Sequence, residues 1–101
     1  MTGPAVPSAG RFAVPPDHPS LPGHFPGRPV VPGVVLLDAV FALAAARPPA
    51  RLLRAKFAAP VAPGEEVEVF FEARGADRLA FTCRSRGAVV LAGEFEKGAP
   101  A

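Results

Sequence analysis

The sequence predicts an α+β domain in which one antiparallel sheet curls round a single apolar helix, and three observations carry this prediction. Val34–Ala46 reads VVLLDAVFALAAA, a helix-length run with prolines just before and just after it. The segments that follow change to the two-residue period of half-buried strands. A sheet with one apolar face and a helix that is apolar on all sides can cover each other.

The predicted helix contains the first candidate for chemistry. Twelve of its thirteen residues are apolar, and the exception is Asp38. At about 1.5 Å per residue the helix is too short for the ~30 Å core of a bilayer, so no membrane contact is expected and protein must enclose it. A buried carboxylate is costly unless it is paired, hydrogen-bonded or protonated. One sheet covers only one side of such a helix, so we expect a homodimer, or a higher oligomer.

Length and composition indicate a single domain over residues 1–101, with flexible ends at residues 1–9 and 97–101. A net charge of +2 without a dense Lys/Arg run gives no reason to expect nucleic acid as a partner. A lone Cys83 and an N-terminus without the features of a signal peptide favour a reducing, cytoplasmic location.

A short strand is predicted at Arg11–Val14, before two prolines, and four more strands are predicted after the helix. Each of the four has an inward set of alternating apolar residues. The sets are Leu53, Ala55 and Phe57; Val67, Val69, Phe71 and Ala73; Leu79, Phe81 and Cys83; and Val89, Leu91, Gly93 and Phe95. Turns are predicted at Val61–Gly64, Gly75–Asp77 and Arg86-Gly87.

Between the first strand and the helix lies a loop, residues 17–33, with five prolines, three glycines and both histidines. So many prolines restrict the backbone and can hold side chains in place, and loops of this length are often functional. The loop places His24 fourteen residues before Asp38. An imidazole that titrates near neutral pH and a carboxyl group in apolar surroundings can exchange a proton. His18 is expected to make only local hydrogen bonds.

Gly33 opens the predicted helix, where free N–H groups and the positive end of the helix dipole can stabilise a developing oxyanion. Without a Cβ, it also lets a substrate carbonyl approach closely. Base, acid and oxyanion donor together predict proton transfer next to a polarised carbonyl. Each residue also has a structural interpretation: His24 as a surface residue, Asp38 as a hydrogen-bonded buried acid and Gly33 as a helix cap.

Gly23–Asp38, which reads GHFPGRPVVPGVVLLD, resembles the signature of the hot-dog-fold β-hydroxyacyl-acyl carrier protein dehydratases. Arg54–Gly64, which reads RAKFAAPVAPG, resembles the strand and turn that follow the helix in that family. The resemblance extends from about residue 11 to about residue 96. It implies the hot-dog fold, a curved antiparallel sheet wrapped around one long central helix, and a dimer with two composite sites. It implies no metal or nucleotide cofactor.

By this resemblance His24 is the catalytic base, Asp38 of the partner subunit assists loss of the β-hydroxyl, and the Gly33 amide polarises the thioester carbonyl. The implied reaction turns 3-hydroxyacyl thioesters of acyl carrier protein or coenzyme A into trans-2-enoyl thioesters, as in fatty acid biosynthesis. One branch of the family has Glu at the position of Asp38, and another has Asp and also isomerises the product double bond. The residues expected to bind substrate are Phe25, Pro26, Gly27, Val34, Val35, Leu36 and Phe41.

Three basic residues are expected either to face an acidic carrier or to form a solvated strand face: Arg51, Arg54 and Lys56. Two other functions stay open. A hot-dog acyl thioesterase would use Asp38 to activate water, although that reaction does not need the loop histidine. A non-catalytic, acyl-binding accessory subunit would lend its sheet and helix to a larger partner.

Overall fold

A computed structural model describes residues 8–15, 30–44 and 51–96 of the chain. The elements are β1 (Ser8–Phe12), α1 (Gly33–Leu43), β2 (Arg51–Phe57), β3 (Val67–Ala73), β4 (Arg78–Ser85) and β5 (Ala88–Glu96). The strands form one antiparallel sheet in the order β1-β3-β4-β5-β2. The described residues therefore confirm an α+β architecture of one antiparallel sheet and one helix. None of their helices is long and apolar enough to cross a membrane.

The chain crosses the sheet between β1 and β2, because these strands lie at opposite edges. α1 lies on one face along this crossing. Its first residue, Gly33, lies against the ring of Phe57 at the end of β2, and its last, Leu43, lies against Gly10 of β1. The start of the helix is therefore positioned beside the free edge of the sheet.

Phe95 of β5 lies at the centre of the core between helix and sheet. Its ring centroid is 4.9 Å from that of Phe41 on α1, with the two ring planes at 82°. The ring centroids of Phe71 and Phe81 lie 6.5 Å and 6.0 Å from it. Such contacts between aromatic rings add to the free energy gained from burial alone. The helix is thus anchored on the middle of the sheet by aromatic packing.

The inward sets predicted for β3 and β4 are confirmed at their buried positions, which include Val67, Val69, Phe81 and Cys83. Ala73, at the end of β3, is exposed. Burial raises the pKa of the Cys83 thiol to about 12. Cys83 is therefore a neutral core residue at physiological pH, as predicted from its place in the inward set.

One prediction for β1 and one for β5 were wrong. β1 is Ser8–Phe12 rather than Arg11–Val14, and Val14 is buried in the segment after the strand. In β5, Val90 is the extra residue of a β-bulge, because Leu91 and Val89 pair with consecutive residues of β4. The bulge turns Val90 into the core and leaves Val89 exposed, so the predicted alternation fails at that point.

β2 is an edge strand whose predicted inward face is largely uncovered. Leu53 is the extra residue of a second bulge, so Leu52 rather than Leu53 lies opposite Phe95. Leu52, Leu53 and Phe57 are all exposed, and Phe57 has half of its surface in solvent. The half-buried strand predicted here is therefore wrong for the single chain, in which only Ala55 of the predicted set is half-buried.

α1 is shorter than the predicted helix and begins one residue earlier. It covers Gly33–Leu43 and is capped at Ala44, while Ala45 and Ala46 lie outside the described residues. Pro32 is the N-cap, in an extended conformation with φ −60° and ψ 144°. A proline at this point has no N–H to leave unsatisfied, which suits a helix start.

The helix is also less enclosed than predicted. Its buried face is formed by Val35, Leu36 and Val40. Val34, Asp38 and Ala42 are exposed, and their spacing of four residues places them on one side, called here the exposed stripe. The sheet covers only the opposite side, as expected for a single chain, and cover of the exposed stripe by a second copy stays a prediction.

The turn between β2 and β3 matches its prediction. The Glu65 N–H donates to the Ala62 carbonyl oxygen at 3.1 Å, and Gly64 has φ +83°, as the third residue of a type II turn requires. The Ser85 hydroxyl lies within hydrogen-bond distance of the Glu65 carboxylate and, at 2.8 Å, of the Glu66 carbonyl oxygen. The turn is thereby joined to the end of β4.

Acid should weaken this junction. The hydrogen bond from Ser85 is the main cause that lowers the pKa of Glu65 from its ordinary value of 4.5. A carboxyl group with a lowered folded-state pKa contributes stability that is fully present above its unfolded pKa and is lost as pH falls through the folded value. We expect the midpoint temperature of thermal unfolding, followed by circular dichroism, to fall as the pH is lowered from 7 to ~2. This fall should be less steep in Ser85→Ala than in wild type. Parallel curves for the two proteins would contradict this assignment.

Candidate active site

A groove of about 500 Å³ lies beside the start of α1. Its walls are the segment before the helix, the first helical turn and the segment after β2. The Val31 N–H donates to the Val61 carbonyl oxygen at 2.8 Å and joins the two walls. The volume is in the range of small-molecule sites. The lining residues are Val30, Val31, Pro32, Gly33, Leu36, Phe57, Ala58, Ala59, Pro60 and Val61.

The helix start beside this groove has N–H groups that its own first turn does not use. The Val35 and Leu36 N–H groups donate to the Pro32 carbonyl oxygen at 3.0 and 3.4 Å. The N–H groups of Gly33 and Val34 donate to no acceptor within the described part of the chain. No acidic residue in the first turn offsets the helix dipole. The helix start can therefore polarise a carbonyl group placed next to it.

Phe57 gives a structural reason for glycine at position 33. A Cβ on Gly33 would lie 2.7 Å from Cζ and 2.9 Å from Cε1 of the Phe57 ring. The missing Cβ was expected to admit a substrate carbonyl, whereas the structure places an aromatic ring on that side. Phe57 was not predicted as a site residue. Phe57 reaches Gly33 only because α1 crosses the face of the sheet. The two residues are far apart in the sequence, so no local pattern predicts their contact.

The contact between Gly33 and Phe57 predicts a coupled pair. Gly33→Ala should destabilise the fold by at most about 1 kcal/mol, because the new Cβ must displace the far end of the Phe57 ring, which is half in solvent and can turn away. Phe57→Leu in the same chain should recover most of this loss, since the shorter side chain leaves room. A double-mutant cycle of urea unfolding measures the coupling. Strictly additive effects of the two substitutions would show that the ring does not resist the Cβ.

Asp38 lies on the exposed stripe and does not line the groove. It has no hydrogen bond or ion pair with any residue in the described ranges. The apolar surroundings predicted for Asp38 are therefore absent in the single chain, because the sheet buries the other side of the helix. Four predicted site residues lie outside the described residues, namely His24, Phe25, Pro26 and Gly27.

Of the predicted helix residues, the structure brings Gly33 and Leu36 together in the groove. Val35 is buried and Phe41 packs on the core, so neither lines it, and Val34 is 64% exposed. Within the described residues, no three His, Cys, Asp or Glu side chains are grouped closely enough to hold a metal ion.

The three basic residues predicted to face a carrier lie on β2. Arg51 pairs with Glu96 at 3.1 Å and Arg54 pairs with Glu94 at 3.0 Å, so their charges are partly balanced within the sheet. Lys56 is exposed and has no ion pair with a described residue. Carrier binding by these residues stays a prediction.

Comparison with known proteins gives a family for this fold and groove. The model of the family described as "ApeI-like: ApeI dehydratase" matches residues 8–94. The chain is 34% identical over 91 residues to the 3-hydroxyacyl-[acyl-carrier-protein] dehydratase FabZ of Sodalis glossinidius (strain morsitans). The match covers 72% of this chain and 60% of that protein. The chain thus spans 60% of the length of this curated relative.

A solved structure has a similar fold. It is the dehydratase heterocomplex ApeI:P from Xenorhabdus doucetiae, with a TM-score of 0.68 and 23% sequence identity, over 85% of this chain and 81% of that one. The five-stranded antiparallel sheet with one helix therefore matches a hot-dog-like dehydratase fold. The resemblance to dehydratases found in the sequence is confirmed. Because the family match extends over most of its length, this chain belongs to the ApeI-like dehydratase family.

Proposed function

We propose that this protein dehydrates 3-hydroxyacyl thioesters to trans-2-enoyl thioesters. The observation that carries the proposal is the apolar groove at the start of α1, which is lined by Gly33, whose N–H donates to no acceptor among the described residues, in a chain of a dehydratase family. The relative from Sodalis glossinidius is named for a substrate on acyl carrier protein. We propose the same carrier here, with coenzyme A as the other source of a thioester.

The proposed chemistry is an elimination that needs no redox partner. His24 takes the proton from the α-carbon, and the electron pair of that C–H bond forms the new double bond. The bond between the β-carbon and its hydroxyl breaks, and Asp38 donates the proton with which the hydroxyl leaves as water. The Gly33 N–H holds the negative charge that develops on the thioester oxygen. The apolar walls of the groove strengthen this interaction by excluding water.

The proposed site needs a second subunit, because Asp38 lies on the exposed stripe rather than in the groove. The edge strand β2 also has exposed apolar residues, Leu52, Leu53 and Phe57. Apolar side chains beside an open edge favour association. A second hot-dog subunit packed there would cover Asp38 and bring it to the histidine loop of its neighbour. A homodimer, predicted from the apolar helix, is the simplest form of this assembly.

A second candidate function is that of an accessory subunit in a mixed pair. The observation in its favour is that Asp38 has no partner among the described residues, and the similar structure from Xenorhabdus doucetiae is a heterocomplex. In this case the purified chain alone is inactive, and activity appears when a second hot-dog subunit is added.

The test is an assay of the purified full-length chain on 3-hydroxyacyl thioesters of increasing chain length. Ultraviolet absorbance reports the conjugated enoyl thioester, and a thiol reagent reports hydrolysis in the same sample. We expect absorbance to rise without thiol release, and His24→Ala to abolish the rise. Thiol release without enoyl formation would make the protein a thioesterase. Absence of both signals until a second hot-dog subunit is added would make it an accessory subunit.

A further inference from the structure

Phe57 has the one aromatic ring among the described residues that line the groove at the start of α1. The other described lining residues are glycine, proline and aliphatic residues. Phe57 is the last residue of β2, and it pairs with Leu91 of β5, which is fully buried. The sheet therefore fixes the backbone of Phe57 at the groove, and its ring forms part of the wall.

The hydrophobic core does not use this ring. Half of the surface of Phe57 lies in solvent, and the residue belongs neither to the buried cluster nor to the partly buried side chains packed against it. The rings of Phe41, Phe71 and Phe81, in contrast, all pack on Phe95. Shortening the Phe57 side chain therefore leaves the core intact, so variants at this position report on the groove rather than on folding.

The ring bounds the space beside the start of the helix. On the side of Gly33 where a Cβ would stand, the three nearest heavy atoms are Cζ, Cε1 and Cε2 of Phe57, at 2.7, 2.9 and 3.4 Å from that position. The Gly33 N–H donates to no acceptor among the described residues. A carbonyl oxygen that accepts from it would lie about 2.9 Å from the nitrogen. The groups bonded to that carbonyl are therefore close to the ring edge.

The groove cannot easily widen at this point. The Val31 N–H donates to the Val61 carbonyl oxygen at 2.8 Å and ties the segment before the helix to the segment after β2. The Phe57 ring is the part of the wall that can move, because half of it is in solvent and the core does not hold it. Turning it away exposes more apolar surface to water, which has a moderate cost in free energy.

We propose that the Phe57 ring restricts the site to 3-hydroxyacyl thioesters that have no branch at the α-carbon. The inference rests on the proposed function for the chemistry of the acyl group, and it adds the class of substrate. With the thioester oxygen at the Gly33 N–H, the α-carbon is bonded to the carbonyl carbon and lies against the ring edge. A methyl group in place of one α-hydrogen must displace the ring or shift the oxygen away from its donor.

The test compares 3-hydroxyhexanoyl-coenzyme A with 2-methyl-3-hydroxyhexanoyl-coenzyme A on the full-length chain, with ultraviolet absorbance reporting the enoyl product. We expect the kcat/KM of wild type to be about tenfold lower for the branched compound, the lower end of the usual effect of one misplaced methyl group, because the ring can turn away. In Phe57→Ala the two values should agree within about twofold, since the wall is gone. Phe57→Leu should lie between wild type and Phe57→Ala.

Leu53→Ala is the matched control. Leu53 is an exposed apolar residue of the same edge strand and does not line the groove. Its truncation should leave the ratio of the two kcat/KM values as in wild type, because a ratio measured on one protein cancels any change in the amount of assembled protein. A ratio that falls in Leu53→Ala as far as in Phe57→Ala would assign the effect to the edge strand and overturn the inference.

Binding is measured separately from catalysis. Hexanoyl-coenzyme A and 2-methylhexanoyl-coenzyme A lack the hydroxyl group and cannot be dehydrated, and isothermal titration calorimetry gives a Kd for each. We expect wild type to bind the unbranched compound more tightly and Phe57→Ala to bind both alike. Equal Kd values in wild type, or binding of neither compound, would overturn the inference. If wild type discriminates between them but forms no enoyl thioester from either hydroxyacyl compound, the proposed function fails and the inference about the α-carbon stands.

Discussion

Asp38→Ala should lower kcat/KM for dehydration about 10²–10⁴-fold, the usual contribution of a positioned general acid or base. The thermal unfolding midpoint of the chain should not change. Asp38 is exposed and makes no hydrogen bond or ion pair with a described residue, so its truncation removes no contact that holds a single subunit together. A large loss of activity at constant stability would therefore identify a chemical role.

Asp38→Glu is the matched control, because it keeps the carboxyl group and one branch of the resembled family has Glu at this position. We expect it to retain most of the activity that Asp38→Ala loses. Steady-state kinetics on one 3-hydroxyacyl thioester, with thermal unfolding of each variant in parallel, make the comparison. A folded, fully assembled Asp38→Ala protein with the kcat/KM of wild type would remove Asp38 from the mechanism.

Gly93→Ala should destabilise the fold by about 3 kcal/mol, near the upper end of the usual cost of overpacking. An added Cβ would meet the Arg54 carbonyl oxygen, lie 3.0 Å from Cα of Ala55 and lie 2.7 Å from Cζ of Phe81. Two of these neighbours are backbone atoms of β2, which pairs with β5 at this point. Relief of the clash therefore requires that β2 move away from the sheet.

Gly75→Ala is the control that separates lack of space from backbone strain. Gly75 lies in the turn between β3 and β4 with φ +94°, and a Cβ there would meet nothing within 4 Å. Only conformational strain opposes the substitution, so we expect a loss of about 1 kcal/mol. Urea unfolding of both variants gives the two free energies. A smaller loss for Gly93→Ala than for Gly75→Ala would show that β2 moves aside easily.

The parts of the fold that the sequence predicted correctly are those governed by local pattern. The alternation in β3 and β4 places Val67, Val69 and Phe81 in the core, because those strands have neighbours on both sides and one face on the helix. The bulges at Leu53 and Val90 depend on how a strand pairs with its neighbour, which periodicity does not record. The bulges account for the errors at Leu53 and Val89, whereas Phe57 is exposed because β2 is an edge strand.

The candidate site was likewise predicted correctly where local sequence signals govern it and missed where the packing of distant elements does. Gly33 was placed at the start of the helix because the prolines around it are local signals. Phe57 was missed because its contact with Gly33 depends on the path of α1 across the sheet. The apolar environment predicted for Asp38 requires a second subunit, because the sheet of the single chain leaves this side of the helix exposed. The role proposed for His24 rests on the family resemblance, because this residue lies outside the described residues.

The most direct measurement of the central claim is a crystal structure of the assembled protein with a 3-hydroxyacyl thioester analogue bound. We expect the Asp38 carboxylate to be covered by the neighbouring subunit and to lie within about 3.2 Å, or one water molecule, of the hydroxyl of the analogue. A histidine ring of the neighbouring loop should face the α-carbon of the same analogue. An Asp38 carboxylate in open water, far from every such ring in the assembly, would contradict the proposed mechanism.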